Sequence, residues 1–381
     1  MNNAYSYDIT GCPDADADAV RRARALAEDV LVPRAEQVDQ SGVIPRSHFE
    51  AIAEAGFYGL FGPRAFGGMD AHVTTARAVS EALAGGCGAT FFLWWNHHSL
   101  VRIVAESDNA ELKASCLEDL CRGKRRGGNI NYLRRAGPPA LVAEPVTGGF
   151  RVSGRAPWAT GWGLLDMFLV AAVVEGADKA CYFCLPGHPV PGVVASPPVP
   201  VLAMGPAVNV RLDLDRVFVP ERDVARVADL SAWRERDRGR VAQPTPALFG
   251  VMDRALMHLT VLAEKRGAPQ IASTATALGA EFLQCRERAY SLPDPVPSDP
   301  PEEYERRHRL RAWSFELAQR ITFALVAASG GGGMELTNPA QRLNREALFY
   351  CVQSQGPAVR DATLNRACQL GALLLDEPLP R

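Results

Sequence analysis

The stretch Phe150-Arg151-Val152-Ser153-Gly154-Arg155-Ala156-Pro157-Trp158-Ala159-Thr160-Gly161 reads as a strand, a glycine turn and a second strand that ends in an aromatic next to a hydroxyl. That pairing suits a wall that stacks on a planar heterocycle through Trp158 and hydrogen-bonds one edge of it through Thr160. The same pattern also describes a hairpin whose Trp158 fills a hydrophobic core. The segment by itself leaves both readings open.

Working outward, the chain has 381 residues, enough for several subdomains and more than one hydrophobic core. Apolar residues make up 47% and charged residues 22%, which leaves little support for disorder or a coiled coil. A net charge of -2 gives no basic face for nucleic acid, and the run Arg122-Gly123-Lys124-Arg125-Arg126 reads as a solvated helix end. The start of the chain is polar and acidic, and no apolar run is long enough to cross a bilayer, so a cytoplasmic protein without a membrane partner is expected. Nine cysteines lack disulfide-framework spacing. Cys181 and Cys184 form a lone Cys-x-x-Cys inside an apolar strand with no second pair, so no metal site is expected.

Before the central stretch the pattern is helical. Apolar positions at Val20, Ala23, Leu26, Val30 and Leu31 predict a helix over 14–32 that stops at Pro33, and a second spans 46–55. The turns Gly56-Phe57-Tyr58-Gly59-Leu60 and Gly62-Pro63-Arg64-Ala65-Phe66-Gly67-Gly68 precede a third helix over 73–84. Residues 90–105, with Phe91, Phe92, Trp94, Trp95, His97 and His98, are too aromatic for an exposed helix, so this element is buried or lines a cavity. A helix over 112–121 closes this region. From 127 to 227 short apolar runs with Gly and Pro punctuation predict strands, among them 167–174, 180–185 and 209–220, the last turning at Pro220. Helices return at 247–266, 270–290, 302–329, 339–353 and 358–374, with a proline-rich surface loop at 292–301.

This order, the two glycine turns, Trp158-Ala159-Thr160 and the run Asn209–Pro220 together resemble the acyl-CoA dehydrogenase superfamily of flavoproteins over nearly the whole chain. The resemblance implies an α+β fold. Its parts are an N-terminal α-helical domain (1–126), a central β-barrel or sandwich domain (127–228) and a C-terminal four-helix-bundle domain (229–381). It also implies FAD as cofactor, with FMN as the alternative, and a homodimer or homotetramer. Position by position it makes Trp158 the shield of the flavin ring and Thr160 the hydrogen-bonding group near its N5. The family's other flavin strand departs from pattern here, reading Asn129-Ile130-Asn131-Tyr132-Leu133-Arg134. Asn129 and Asn131 share one strand face and can offer amides to a pyrimidine edge, and Arg134 can meet a phosphate. Downstream, Gly331 and Gly332 within Gly330–Gly333, followed by Arg342 and Arg345, resemble the segment that holds the dinucleotide. Equally, these glycines can simply end the long helix at Ser329.

The dehydrogenases of the family remove an α-proton with a glutamate, and the position it usually occupies is Gln355 here. An amide is no general base, and the alternative location at 239–243 offers no carboxylate either. Branches that use reduced flavin and oxygen need a dry pocket and a proton donor instead, and His97 and His98 are the candidate donors, completing a catalytic set with Gln355. The expectation is a flavin-dependent monooxygenase or oxidase acting on a small or carrier-bound metabolite, with a flavin reductase as partner. The alternatives are an acyl-thioester dehydrogenase with a non-standard base and a flavin-free binding or scaffold subunit.

Overall fold

The structure is a computed structural model and describes residues 16–135, 137–293, 296 and 299–373. The chain forms two compact units, one ending at Arg234 and the other beginning at Glu235.

In the first unit, α1 (Ala17–Leu26) is capped by the Asp16 carboxylate, which accepts from the N–H groups of Asp18 and Ala19. The helical path does not stop at Pro33. It passes through a π-helical turn (Ala27–Leu31) and a 3-10 turn (Val32–Arg34) into α2 (Ala35–Ser41), ending at Gly42 with φ 70°. The widened turn resets the hydrogen-bond register, so Pro33 falls at the start of a new turn, where its missing N–H is not needed. Then come α3 (Arg46–Glu54), α4 (Val73–Gly86), α5 (Gly88–Ala105) and α6 (Ala110–Cys121).

The strands are β1 (Gly127–Asn131), β2 (Leu141–Val146), β3 (Gly149–Thr160), β4 (Met167–Val174), β5 (Lys179–Pro186), β6 (Val193–Ala195), β7 (Asn209–Pro220) and β8 (Val224–Asp229). They form one mixed sheet in the order β6-β7-β3-β2-β4-β5-β8. β1 and β2 share one edge of β4: β1 runs parallel to Met167–Ala171, and β2 continues along Val173 and Val174. Leu100, Val101 and Val104 of α5 and Leu117 and Leu120 of α6 share a core with Leu169, Ala171 and Tyr182 of the sheet. The N-terminal helices and the sheet, read from sequence as separate domains, are thus bound by common apolar burial.

The stretch 150–161 is not a hairpin. It is the single strand β3, and Gly154 lies inside it at φ 134°, where a Cβ would meet the Ala140 carbonyl oxygen at 2.2 Å. The true hairpin is β2–β3, turning at Gly148 with φ 80°, and β3 pairs on its other side with β7. Gly154 therefore answers a close backbone approach within the sheet rather than a reversal of the chain. Cys181 and Cys184 both lie buried in β5, three residues apart and hence on opposite faces of the strand. Burial pushes the Cys181 thiol up to about 12 and that of Cys184 higher still.

Helix α7 (Leu230–Ala242) runs across the boundary between the units. The second unit continues with α8 (Pro246–Arg266), α9 (Pro269–Tyr290), α10 (Pro301–Ser329), α11 (Pro339–Val352) and α12 (Pro357–Leu373). Each of these five opens on a proline, whose fixed φ and missing N–H suit a first turn. The most apolar 18 residues of 230–266 have a mean hydropathy of 1.2, enough by composition for a membrane span, but 61% of them are buried. Packing of α8 against α9, α10 and α11 accounts for that apolarity.

Replacing Gly154 with alanine is expected to lower the stability of the first unit by about 1–3 kcal/mol, since the residue is both strained in φ and blocked by Ala140. A lowered urea midpoint with unchanged slope is the expected reading; an unchanged midpoint contradicts the close approach.

Candidate functional site

Whether Trp158 faces the core or the outside is decided by one irregularity in β3. Between Ala156, opposite Leu212, and Ala159, opposite Val210, β3 takes three steps while β7 takes two. Val152 and Ala156 point into the core, and unbroken alternation would send Trp158 the same way. The extra residue flips the parity: Ala159 is buried, and Trp158 and Thr160 share the outward face, with Trp158 44% exposed. Pro157, with no N–H to give to the ladder, sits where the pairing breaks.

The polar groups around this corner are specific. Tyr132, just beyond β1, donates its hydroxyl to the Trp158 carbonyl at 2.5 Å. Thr160 Oγ1 donates to Asn209 Oδ1 at 2.6 Å, across a directly opposed pair of β3 and β7. The next N–H, of Gly161, reaches the carbonyls of both Ala207 and Val208 at 2.8 Å. Those carbonyls belong to a loop in which Met204 (φ 61°) and Val208 (φ 47°) adopt left-handed conformations, strained for non-glycine residues and most of all for a β-branched one. On β1, Asn129 and Asn131 share a half-buried face, and Asn131 Oδ1 accepts from the Leu133 N–H at 3.0 Å. Arg134 lies exposed beyond the strand end. An outward indole face with a hydroxyl on the same side suits a planar heteroaromatic ring.

His97 and His98 lie behind this corner, in the aromatic interior of α5. His97 is fully buried, and its Nδ1 accepts the N–H of Gly127, the first residue of β1, at 2.9 Å. A Cβ at Gly127 would come within 2.3 Å of the tip of the Leu100 side chain, which would have to shift. The proton of the neutral ring therefore sits on Nε2. His98, 3% exposed, stands edge-on to Trp94 and Phe61 at 4.5 and 5.0 Å between ring centres. Neither of its nitrogens has a hydrogen-bond partner among the described residues. Burial lowers His97 to about 4 and holds His98 well below its ordinary value, so both rings are neutral near pH 7.

The remaining residues singled out from sequence belong to the second unit. Gly331 and Gly332 lie exposed in the 3-10 turn (Gly330–Met334) that follows α10. Arg342 does not extend to the surface as a phosphate ligand does. It is 3% exposed and bonded at 2.9 Å to Glu346, one helical turn on, itself buried. Arg345 donates twice to Gln341 Oε1, at 2.9 and 2.6 Å. Gln355 follows α11, and its amide donates to the Cys351 carbonyl at 3.1 Å. Sequence reasoning assigned no role to Tyr132 or Asn209. Asn209 opens the alternating run of β7, but only the cross-strand register sets it against Thr160.

Residues 14–124 match the family model described as acyl-CoA dehydrogenase, N-terminal domain. The whole fold is similar to butyryl-CoA dehydrogenase from Megasphaera elsdenii, with a TM-score of 0.74 at 18% identity over 94% of this chain and 97% of that one. Residues 14–124 are thus an acyl-CoA dehydrogenase N-terminal domain, and the chain has the acyl-CoA dehydrogenase fold. Among curated relatives, the oxygenase component of the FADH(2)-dependent resorcinol hydroxylase of a Rhizobium species is 24% identical, covering 84% of this chain and 86% of that protein. Benzylmalonyl-CoA dehydrogenase of Aromatoleum aromaticum is also 24% identical, but over 56% of this chain and 57% of that protein.

Two outcomes follow from this geometry. The unfolded chain takes up the His97 proton near pH 6.5 and the folded chain only near 4, so the stability tied to neutral His97 is full above 6.5 and drains away as pH falls toward 4. Urea midpoints measured from pH 7 to 5 should fall more steeply in the native protein than in His97→Gln; parallel slopes contradict the burial of a neutral ring. Tyr132→Phe removes the donor to the Trp158 carbonyl and should cost about 1 kcal/mol, with a shift in the emission of Trp158.

Proposed function

We propose that this chain is a flavoprotein oxidoreductase that holds FAD against the outward face of β3 and uses reduced flavin with dioxygen to hydroxylate or oxidise a small or carrier-bound metabolite. The cofactor reading is supported by the exposed indole of Trp158, with the Thr160 hydroxyl on the same face. A large aromatic turned outward by a bulge, at a loop that holds two strained residues, has no packing purpose of its own in the first unit. In this reading Trp158 lies against the isoalloxazine, Thr160 bonds its central ring, and Asn129 and Asn131 serve its pyrimidine edge. Bound reduced flavin supplies two electrons for the activation of dioxygen.

The observation that favours oxygen chemistry over acyl-thioester dehydrogenation is Gln355. It stands where the family's dehydrogenases carry a carboxylate base, and an amide with its N–H given to the Cys351 carbonyl cannot remove an α-proton. One relative that matches over most of both chains is named as the oxygenase component of an FADH(2)-dependent hydroxylase, which agrees with a separate reductase as supplier of reduced cofactor, while another of like coverage is named as a CoA dehydrogenase. Neutral His97 and His98 contribute by shape and dryness: they keep the aromatic interior of α5 free of charge behind the bulged end of β3.

Mixing protein with FAD should quench tryptophan emission, and Trp158→Leu should weaken FAD binding by about tenfold, within the range of a stacking contact. Protein that leaves FAD fluorescence and its own emission unchanged is instead the flavin-free scaffold. With FAD-loaded protein, anaerobic bleaching of the flavin by acyl thioesters overturns the oxygenase reading. Slower release of hydrogen peroxide from protein-bound reduced FAD in air than from free reduced FAD supports it.

A further inference from the structure

We infer that Asn209 fixes the Thr160 hydroxyl as a hydrogen-bond acceptor toward bound flavin and thereby biases the site toward the reduced cofactor. This rests on the flavin site proposed above and adds a direction to it.

The contact between Thr160 Oγ1 and Asn209 is 2.6 Å, inside the range for O–H···O and shorter than N–H···O bonds run, so the carboxamide oxygen faces the hydroxyl. A threonine hydroxyl has one proton, and it is spent on Asn209. What Thr160 has left to offer an incoming ring is its lone pairs. The central ring of a reduced isoalloxazine presents an N–H at N5, whereas the oxidised ring presents a lone pair there. The first matches an acceptor; the second meets lone pair with lone pair unless Thr160 releases Asn209.

Asn209 is held where this bias needs it. Its side chain is buried, it lies directly opposite Thr160 in the register of β3 and β7, and its carbonyl accepts from Val199 at 2.8 Å. The strained loop ending at Val208 delivers it, and the same loop receives the Gly161 N–H, so both ends of the contact are clamped by one piece of backbone. Asn209 is a positioning residue: it acts on the flavin through Thr160.

The test uses the full-length protein with oxidised and dithionite-reduced FAD, measuring the two dissociation constants anaerobically and the midpoint potential of the bound flavin. The native protein is expected to bind reduced FAD about tenfold more tightly than oxidised FAD, which raises the two-electron potential by about 30 mV over free FAD. Asn209→Leu frees the hydroxyl to donate to the oxidised ring, and the ratio and potential should return toward those of free FAD. Thr160→Val should abolish the preference as well, and adding Asn209→Leu to it should change nothing further. Should the leucine variant not fold, Asn209→Ala, which also frees the hydroxyl, takes its place. An unshifted ratio in native protein, or a ratio unchanged in either variant, overturns the inference while leaving the flavin site standing. Failure of native protein to bind FAD in either state overturns the site and the inference together.

Discussion

A single additional residue in β3, at Pro157–Trp158, is the constraint on which the candidate site depends. Strand alternation is strict, so any change of one residue in the pairing reverses the face of everything beyond it. Here the reversal carries Trp158 out of the core and brings Ala159 in. Burying a tryptophan side chain is worth several kcal/mol by area, and an exposed one forgoes that gain. The fold tolerates the loss at the point where two left-handed residues, Met204 and Val208, also store strain. Strain and forgone burial at one corner mark it as a place organised for something other than stability.

The interior behind that corner is organised in the opposite sense. Helix α5 packs His97 and His98 among Tyr58, Phe61 and Trp94, with the rings edge-on to one another. Their neutrality follows from desolvation, and the acceptor nitrogen of His97 is spent on the first amide of β1. A chain of short contacts thus runs from α5 through Gly127 to β1, and from Tyr132 to the carbonyl of Trp158. Displacing α5 would be felt at the indole through backbone rather than through side-chain charge.

The helices of the second unit were legible because their signals are local. Proline at the first turn, apolar spacing of three and four, and glycine after α8 and α10 specify where each begins and ends within a few residues of chain. Arg342 shows the limit of such reading. Its spacing after the glycines suits an anion ligand, yet on α11 the same spacing places it one turn before Glu346 and inside the bundle. Likewise Gly154 carries every mark of a turn and is instead a point where β3 passes close to Ala140.

By itself the sequence determined the order of helices and strands, the likeness to the acyl-CoA dehydrogenase fold, the pair Trp158 and Thr160, and the amide at position 355, because these depend on residue type and short-range backbone preference. Tertiary structure alone decided that β3 is one strand, that the indole faces outward, that Arg342 is committed to Glu346, and that Asn209 takes the proton of Thr160. Each of these turns on the register between elements distant in the chain. Register is set by which faces bury together and where a bulge falls, and no local window of residues contains that information.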